Sequence, residues 1–148
     1  MELIIFFSAK YLGYVLLAVF LILFLKNRNR NFLFIPLISA LVSRFIFTEL
    51  TRFFYFRPRP FVEKAIAPLI DHAPDASFPS GHAAFFFALS AGIYHFNKKA
   101  GLLFFIASAA IGLARVFAGL HYFTDILGGL ALGVFSFWLA GFLYKKFV

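Results

Sequence analysis

The feature that most constrains this chain is a series of apolar runs, each about as long as a bilayer is thick. Leu3 to Leu25 is interrupted by a single charge, Lys10, and about 20 predominantly apolar helical residues cross the hydrocarbon core. Phe32 to about Phe56, Ser80 to Phe96, Ala100 to about Phe117 and Tyr122 to Tyr144 follow. In lipid each backbone polar group needs a partner within the protein, so such runs fold as helices. The expected fold is all-α: a polytopic transmembrane helix bundle of about five spans, with residues 1–148 forming one membrane-embedded domain. Hydrophobic residues make up 63% of the 148, against roughly 45–50% in soluble domains. A secretory signal places basic residues before its apolar core and a cleavage site after it. Here Glu2 comes first and the bases follow, so the first run reads as a retained span, with Lys10 snorkelling to the nearer interface.

The net charge of +8 does not mark a nucleic-acid partner, because the bases sit between apolar runs. They act instead as topology signals. Lys26, Arg28 and Arg30 follow the first span, Lys98 and Lys99 join the third and fourth, and Lys145 and Lys146 follow the fifth. With five spans all of these share one side, which the positive-inside rule makes cytoplasmic. The N-terminus is then outside and the C-terminus cytoplasmic. Arg52, Arg57, Arg59, Lys64 and Arg115 lie on the other side, against the rule; an anionic ligand at the periplasmic or exterior face supplies a reason. With no cysteine, thiolate chemistry and disulfides are excluded.

Arg57 to Pro79 is the one long loop. In it Phe61, Val62, Ala65, Ile66, Leu69 and Ile70 recur at helical spacing, which predicts a short helix lying in the interface. Ser108 with Gly112, and Gly129 with Gly133, have the small-xxx-small spacing that lets membrane helices pack closely. Arg44, Glu49 and Arg52 are ionisable groups within the second span, where such groups are paired or functional. Glu49 and Arg52 share a helix face, and Arg44 with Glu49 reads as an interhelical polar contact.

Three polar groups fall at one membrane face. Arg52 and Arg59-Pro60 lie at the end of the second span. Pro79-Ser80-Gly81-His82 opens the third, with Pro79 suited to a first-turn position, free helix N–H groups for an anion and a glycine that admits close backbone approach. Arg115, His121 and Asp125 flank the turn between the fourth and fifth. If the last helix begins near His121, Asp125 shares its face, and the carboxylate holds one imidazole nitrogen while the other attacks. His82 then stands opposite as general acid, and guanidiniums with helix-start N–H groups hold phosphate oxygens. Taken alone, His121 with Asp125 also fits a structural pair, and Arg57 and Arg59 fit headgroup anchors. Their joint occurrence on one face favours function. His72 and His95 have no visible partner, and no zinc-ligand spacing occurs.

These groups resemble the tripartite signature of the type 2 phosphatidic acid phosphatase superfamily, K-x6-RP, PSGH and SR-x5-H-x3-D. Here they read Arg52-x6-Arg59-Pro60, Pro79-Ser80-Gly81-His82 and Ala114-Arg115-x5-His121-x3-Asp125. The resemblance implies a helical membrane phosphatase that needs no metal or other cofactor and works through a phosphohistidine. It implies His121 as nucleophile, Asp125 as its orienter and His82 as acid, with Arg52, Arg59, Ser80, Gly81 and Arg115 binding phosphate. Arg52 replaces the usual Lys and Ala114 the usual Ser, and the family core has six spans against five here. Asp75 to Ser80 looks like the undecaprenyl-diphosphate phosphatases of this superfamily, which implies a polyprenyl diphosphate substrate. A broader lipid phosphatase, acting on phosphatidylglycerophosphate, phosphatidate or lipid A phosphate, is the alternative. Lys10, Arg44 and Glu49 motivate another, a non-catalytic lipid-phosphate binder or transporter. The partners expected are the lipid phosphate and membrane lipids, with no nucleic acid and no obligatory protein partner.

Overall fold

In the computed structural model the backbone is described for residues 1–147 and side chains through Leu143. Lys145 and Lys146, part of the orientation argument, lie outside the described side chains. The five apolar runs all form helix. They appear as α1 (Glu2–Lys10), α2 (Leu12–Asn27), α3 (Arg30–Phe54), α5 (Gly81–Phe96), α6 (Lys98–Phe117) and α7 (Phe123–Phe147), with a single turn, α4 (Pro60–Glu63), in the long loop. By length and composition α3, α6 and α7 can each cross a membrane, as can α1 and α2 if they count as one bent span. Helix α5 has 16 residues, about 24 Å at 1.5 Å per residue. Its approach from Ala76 is non-helical backbone largely buried in protein, a setting in which such backbone is tolerated at membrane depth.

Helix α5 is the axis of the bundle. Eleven of its residues are buried, from Gly81 to Ile93, and a helix apolar all round belongs inside. Phe86, Leu89 and Ile93 meet Leu16 and Phe20 of α2, Phe32 and Ala40 of α3, and Phe104 and Ile111 of α6. The small-residue spacings act as expected. A Cβ on Gly129 would lie 2.6 Å from Ala83 Cβ, and one on Gly133 would lie 2.7 Å from the Ala88 nitrogen, so α7 and α5 touch backbone to backbone. Ser108 meets Ser90 hydroxyl to hydroxyl at 3.0 Å.

Three expectations need correction. The first run is not one straight helix: α1 and α2 meet at 47° around Tyr11. At the bend Arg115 Nη1 donates to the Ala9 carbonyl at 3.1 Å, the kind of side-chain insertion into the i→i−4 ladder that accompanies kinks. The Arg44–Glu49 contact is not interhelical. Ser43–Phe47 is a π-turn, and Arg44 Nη1 reaches Glu49 Oε1 of its own helix at 2.5 Å. Finally, the loop has no interfacial helix over Phe61–Ile70. Helix stops at Glu63, Ala65 takes a left-handed φ of 51°, and Phe61 and Ile70 instead pack inward on Ala9, Ala114, Ala118 and Leu120.

Chain direction puts the ends of α3 and α6 and the starts of α5 and α7 at one end of the bundle. Contacts bear this out: Arg52 Nη2 donates to Pro79 O at 3.2 Å and the Ser80 amide donates to Asp125 O at 3.0 Å. Arg28, Arg30, Lys98 and Lys99 lie at the opposite end, where Phe32 and Phe96 meet edge to face, 5.7 Å between ring centres.

Candidate active site

The segment Arg115 to Asp125 is built from two helix ends. Helix α6 stops in a Schellman motif: the Leu120 amide donates to Arg115 O and the Gly119 amide to Val116 O, both at 3.0 Å. The motif needs a left-handed residue just past the cap, and Gly119 provides it at φ 78°. Tyr122 then precedes α7, and Asp125 at the third helical position takes the Tyr122 amide on Oδ2 at 2.8 Å, half of a capping box. His121 sits between the two motifs, just before α7 and not on it. It still reaches Asp125, with Nδ1 3.4 Å from Oδ2.

Asp125 is fully buried and held on all sides. Ser77 Oγ donates to Oδ2 through a short hydrogen bond, and Arg57 Nη1 donates to Oδ1 at 3.0 Å. On the far side of the His121 ring, Arg59 Nη1 lies 3.2 Å from Nε2. A guanidinium only donates, so Nε2 is the acceptor and Nδ1 carries the proton towards Asp125. Arg59 is buried and also donates from Nε to Asp75 Oδ1 at 2.8 Å and from Nη1 to Leu120 O at 2.9 Å.

The charges set the protonation states. Burial pushes His121 down, Asp125 pulls it back and the Arg59 and Arg115 charges lower it further, leaving it at about 4. Burial alone raises Asp75, but the hydrogen bond from Arg59 and the charges of Arg59 and Arg52 hold it below its ordinary range.

Facing this, Ser80 caps α5, its Oγ accepting from the Ala83 amide at 3.5 Å. Pro79 precedes the cap, so it is not a first-turn residue as expected. A Cβ on Gly81 would lie 2.6 Å from Arg44 Nε, so the glycine lets the Arg44 side chain lie across the helix start. His82 is exposed on a cleft it shares with Lys10 and Arg44, within Coulombic range of Arg115 and His121. Arg52 Nη1 lies 3.4 Å from Glu49 and 3.6 Å from Asp75. The Nε atoms of Arg52 and Arg115 are buried with no acceptor among the described residues, donors of the kind phosphate oxygens take.

A model of the PAP2 superfamily matches residues 33–147. The chain belongs to the PAP2 superfamily. It is 33% identical over 135 residues to undecaprenyl-diphosphatase BcrC of Bacillus subtilis, covering 91% of this chain and 67% of that one. It is 34% identical over 91 residues to phosphatidylglycerophosphatase B of the same organism, covering 53% of this chain and 43% of that one. The crystal structure of Aquifex aeolicus LpxE superposes with a TM-score of 0.77 at 26% identity, over 94% of this chain and 84% of that one. This PAP2 chain is therefore a multi-pass membrane phosphatase for which a lipid phosphate is the fitting substrate class.

The structure brings His121, Asp125, Arg59, Arg52, Ser80 and Gly81 to one end of the bundle, with His82 on the adjoining cleft. Arg115 shares that end, but one arm of its guanidinium is spent on Ala9 O. Ala114, where the family has a serine, packs on Ala9 in a small apolar cluster. Sequence reasoning missed Arg57, Ser77 and Asp75 as site residues. Arg57, read as a headgroup anchor, grips Asp125 and Thr124 and stacks on Tyr122, 3.8 Å from its ring centre. The available signal was its position, two residues before a motif arginine. His72, read as a loop residue, lies 3.7 Å from Asp75.

Proposed function

We propose that the whole chain works as one membrane-embedded phosphatase domain that hydrolyses a polyprenyl diphosphate at the outer face of the cell membrane. The observation that carries this reading is the His121 ring, with its Nδ1 proton directed at Asp125 and its Nε2 lone pair beside Arg59. That is the nucleophile-plus-orienter arrangement of covalent catalysis. Nε2 attacks the terminal phosphorus, an N–P bond forms, and the bond from phosphorus to the bridging oxygen breaks. His82 gives its proton to that oxygen, which leaves as the lipid monophosphate. A water deprotonated by His82 then attacks the phosphohistidine, releasing inorganic phosphate and restoring both imidazoles.

Arg59, Arg52 and Arg115 supply the donors for the transferred phosphoryl oxygens, a role for which guanidinium forks suit phosphate. As phosphate arrives, Arg59 turns from Nε2 to a phosphoryl oxygen, which frees the lone pair at the moment of attack. The 33% identity to undecaprenyl-diphosphatase BcrC supports the diphosphate substrate. The basic residues at the far end of the bundle support an outward-facing site with the N-terminus outside, by the positive-inside rule. The likeness to phosphatidylglycerophosphatase B favours the second reading, a broader lipid phosphatase.

Phosphate release by purified protein, measured against undecaprenyl diphosphate, phosphatidylglycerophosphate, phosphatidate and lipid A with chelator present, separates the two. Preference for the polyprenyl diphosphate is expected. Equal rates on all four lipids favour the broader reading. Loss of all activity with chelator contradicts the metal-free mechanism, and no release from any lipid returns the chain to a carrier or binding role.

A further inference from the structure

We infer that Lys10 and Arg44 form a second anion subsite beside His82, which takes the phosphate that stays on the lipid when a diphosphate is cleaved. The inference rests on the phosphatase reading above and adds to it the basis of substrate choice. A cavity of about 230 Å³ opens between α1, α2, α3, α5 and α6, with Lys10, Arg44, Gly81 and His82 on its wall. Most of the remaining wall is apolar, including Leu17, Phe85 and Ile111, with Tyr14 also on it. Two cationic groups together with His82 in an otherwise mostly apolar lining match a charged head that carries a hydrocarbon tail.

The place of the cavity decides what it holds. His82 protonates the leaving oxygen, so whatever that oxygen carries lies on the His82 side, away from His121. For a phosphate monoester this is the lipid carbon chain. For a diphosphate it is a second anionic phosphorus, and only then are cations useful there. Arg52, Arg59 and Arg115 already serve the transferred group, so Lys10 and Arg44 are surplus to a monoesterase.

Lys10 ends α1 exposed, with its ammonium free to meet an anion at the cleft. Among the described residues it has no carboxylate within salt-bridge distance; its Nζ lies 5.1 Å from the Phe6 ring centre and 5.6 Å from that of Tyr11. Arg44 is held by Glu49 at 2.5 Å, which fixes its stem across Gly81 and leaves other N–H groups of the fork for an anion. The bend beside Lys10 is tied to the site through the bond from Arg115 to the Ala9 carbonyl. The phosphate-binding arginine and the surplus lysine are therefore coupled through one residue of α1.

The test is the ratio of kcat/KM for farnesyl diphosphate to that for farnesyl monophosphate, two substrates with one tail. Lys10→Met keeps the length and removes the charge. The ratio is expected to fall about tenfold or more, the worth of one charge-assisted contact, and Lys10→Arg is expected to restore most of it. Equal loss on both substrates, or no loss on either, overturns the subsite while leaving the phosphatase reading standing. Wild-type protein that releases phosphate from neither substrate, or only from the monophosphate, overturns the diphosphatase reading and the subsite with it. The monophosphate rate of each variant also reports that the protein is folded.

Discussion

The two histidines of the site are built in opposite ways. His121 is 2% exposed, with Asp125 and Ser77 on its Nδ1 side and Arg59 on Nε2. His82 is exposed on a cleft, and its ring has no hydrogen bond to any described residue. A nucleophile benefits from being fixed in tautomer and direction before substrate arrives, since geometry set in advance lowers the barrier most. An acid that must first give a proton to the leaving oxygen and then take one from water does better with room to turn. In the proposed mechanism a bound phosphate dianion beside His82 also favours its imidazolium form. The braced ring belongs to the bond-making step and the loose ring to proton transfer.

The strongest way to break this contrast is to remove each ring. His121→Ala is expected to reduce phosphate release from the lipid to the no-enzyme background, because the attacking Nε2 lone pair beside Arg59 is lost with the ring. His82→Ala is expected to be milder, a loss of about a hundred- to ten-thousand-fold, typical of one acid–base group. The two losses differ in kind. With p-nitrophenyl phosphate, whose leaving group needs little protonation, His82→Ala should still transfer the phosphoryl group and then stall. A burst of nitrophenolate equal to the enzyme concentration, with phosphate trapped on protein, is the expected reading; a slow steady rate with no burst contradicts the division of labour.

Asp125→Asn comes next. The carboxylate fixes the Nδ1–H tautomer, and an amide that turns its NH2 towards the ring moves the proton to Nε2, the attacking atom. A loss of about a hundred-fold or more in kcat with little change in KM is expected, the sign of an interaction that matters chiefly at the transition state. A KM change alone would mean that Asp125 serves binding and not orientation.

Much of this braced corner was legible in the sequence, because its spacings are local geometry. Arg115-x5-His121 is the length of a Schellman stop followed by one further residue, and His121-x3-Asp125 spans the residue before a cap to the third helical position. Ser80 before Gly81 and His82 is a cap before its helix. The apolar runs gave the helices for the same reason, since period and length are local. What stayed hidden depends on residues far apart in the chain. Arg115 meets Ala9 across 106 positions, and no pattern near Tyr11 announces a bend. Arg57, Asp75 and Ser77 enter the site because the loop folds back, with the Ser77 amide donating to Arg57 O at 2.8 Å. The π-turn at Ser43–Phe47 shifts the helical register, so Arg44 and Glu49 pair within one helix where even spacing pointed them at a neighbour.

Ser77 sharpens the contrast at smaller scale. Its hydroxyl donates to Asp125 Oδ2 and lies 3.5 Å from His121 Nδ1, so it holds the orienter and does not touch the reacting phosphorus. Ser77→Ala leaves Asp125 with the Tyr122 amide and Arg57. The expected loss in kcat is about tenfold or less, in line with one buried hydrogen bond at about 1 kcal/mol. Assaying Ser77→Ala in the Asp125→Asn background checks the assignment. If Ser77 acts through Asp125, the second loss largely disappears; full additivity would give Ser77 a separate role.

The smallest expected effect is an absence of titration. Burial, with the Arg59 and Arg115 charges behind it, holds His121 at about 4 against the pull of Asp125, while a free histidine titrates near 6.5. Between those values the unfolded chain binds a proton that the native site refuses. Stability therefore rises with pH across the window and falls as pH drops from about 6.5 towards about 4. Nitrogen-15 NMR of histidine-labelled protein in detergent, without substrate, should show Nε2 of His121 unprotonated at pH 7 and still unprotonated at pH 5.5. Replacing Arg59 by Gln removes the nearest positive charge, so the titration should move up towards the ordinary value. If His121 already titrates near 6.5 in the wild-type protein, Nε2 is not a preformed lone pair beside Arg59, and the difference between a braced nucleophile and a free acid loses its electrostatic basis.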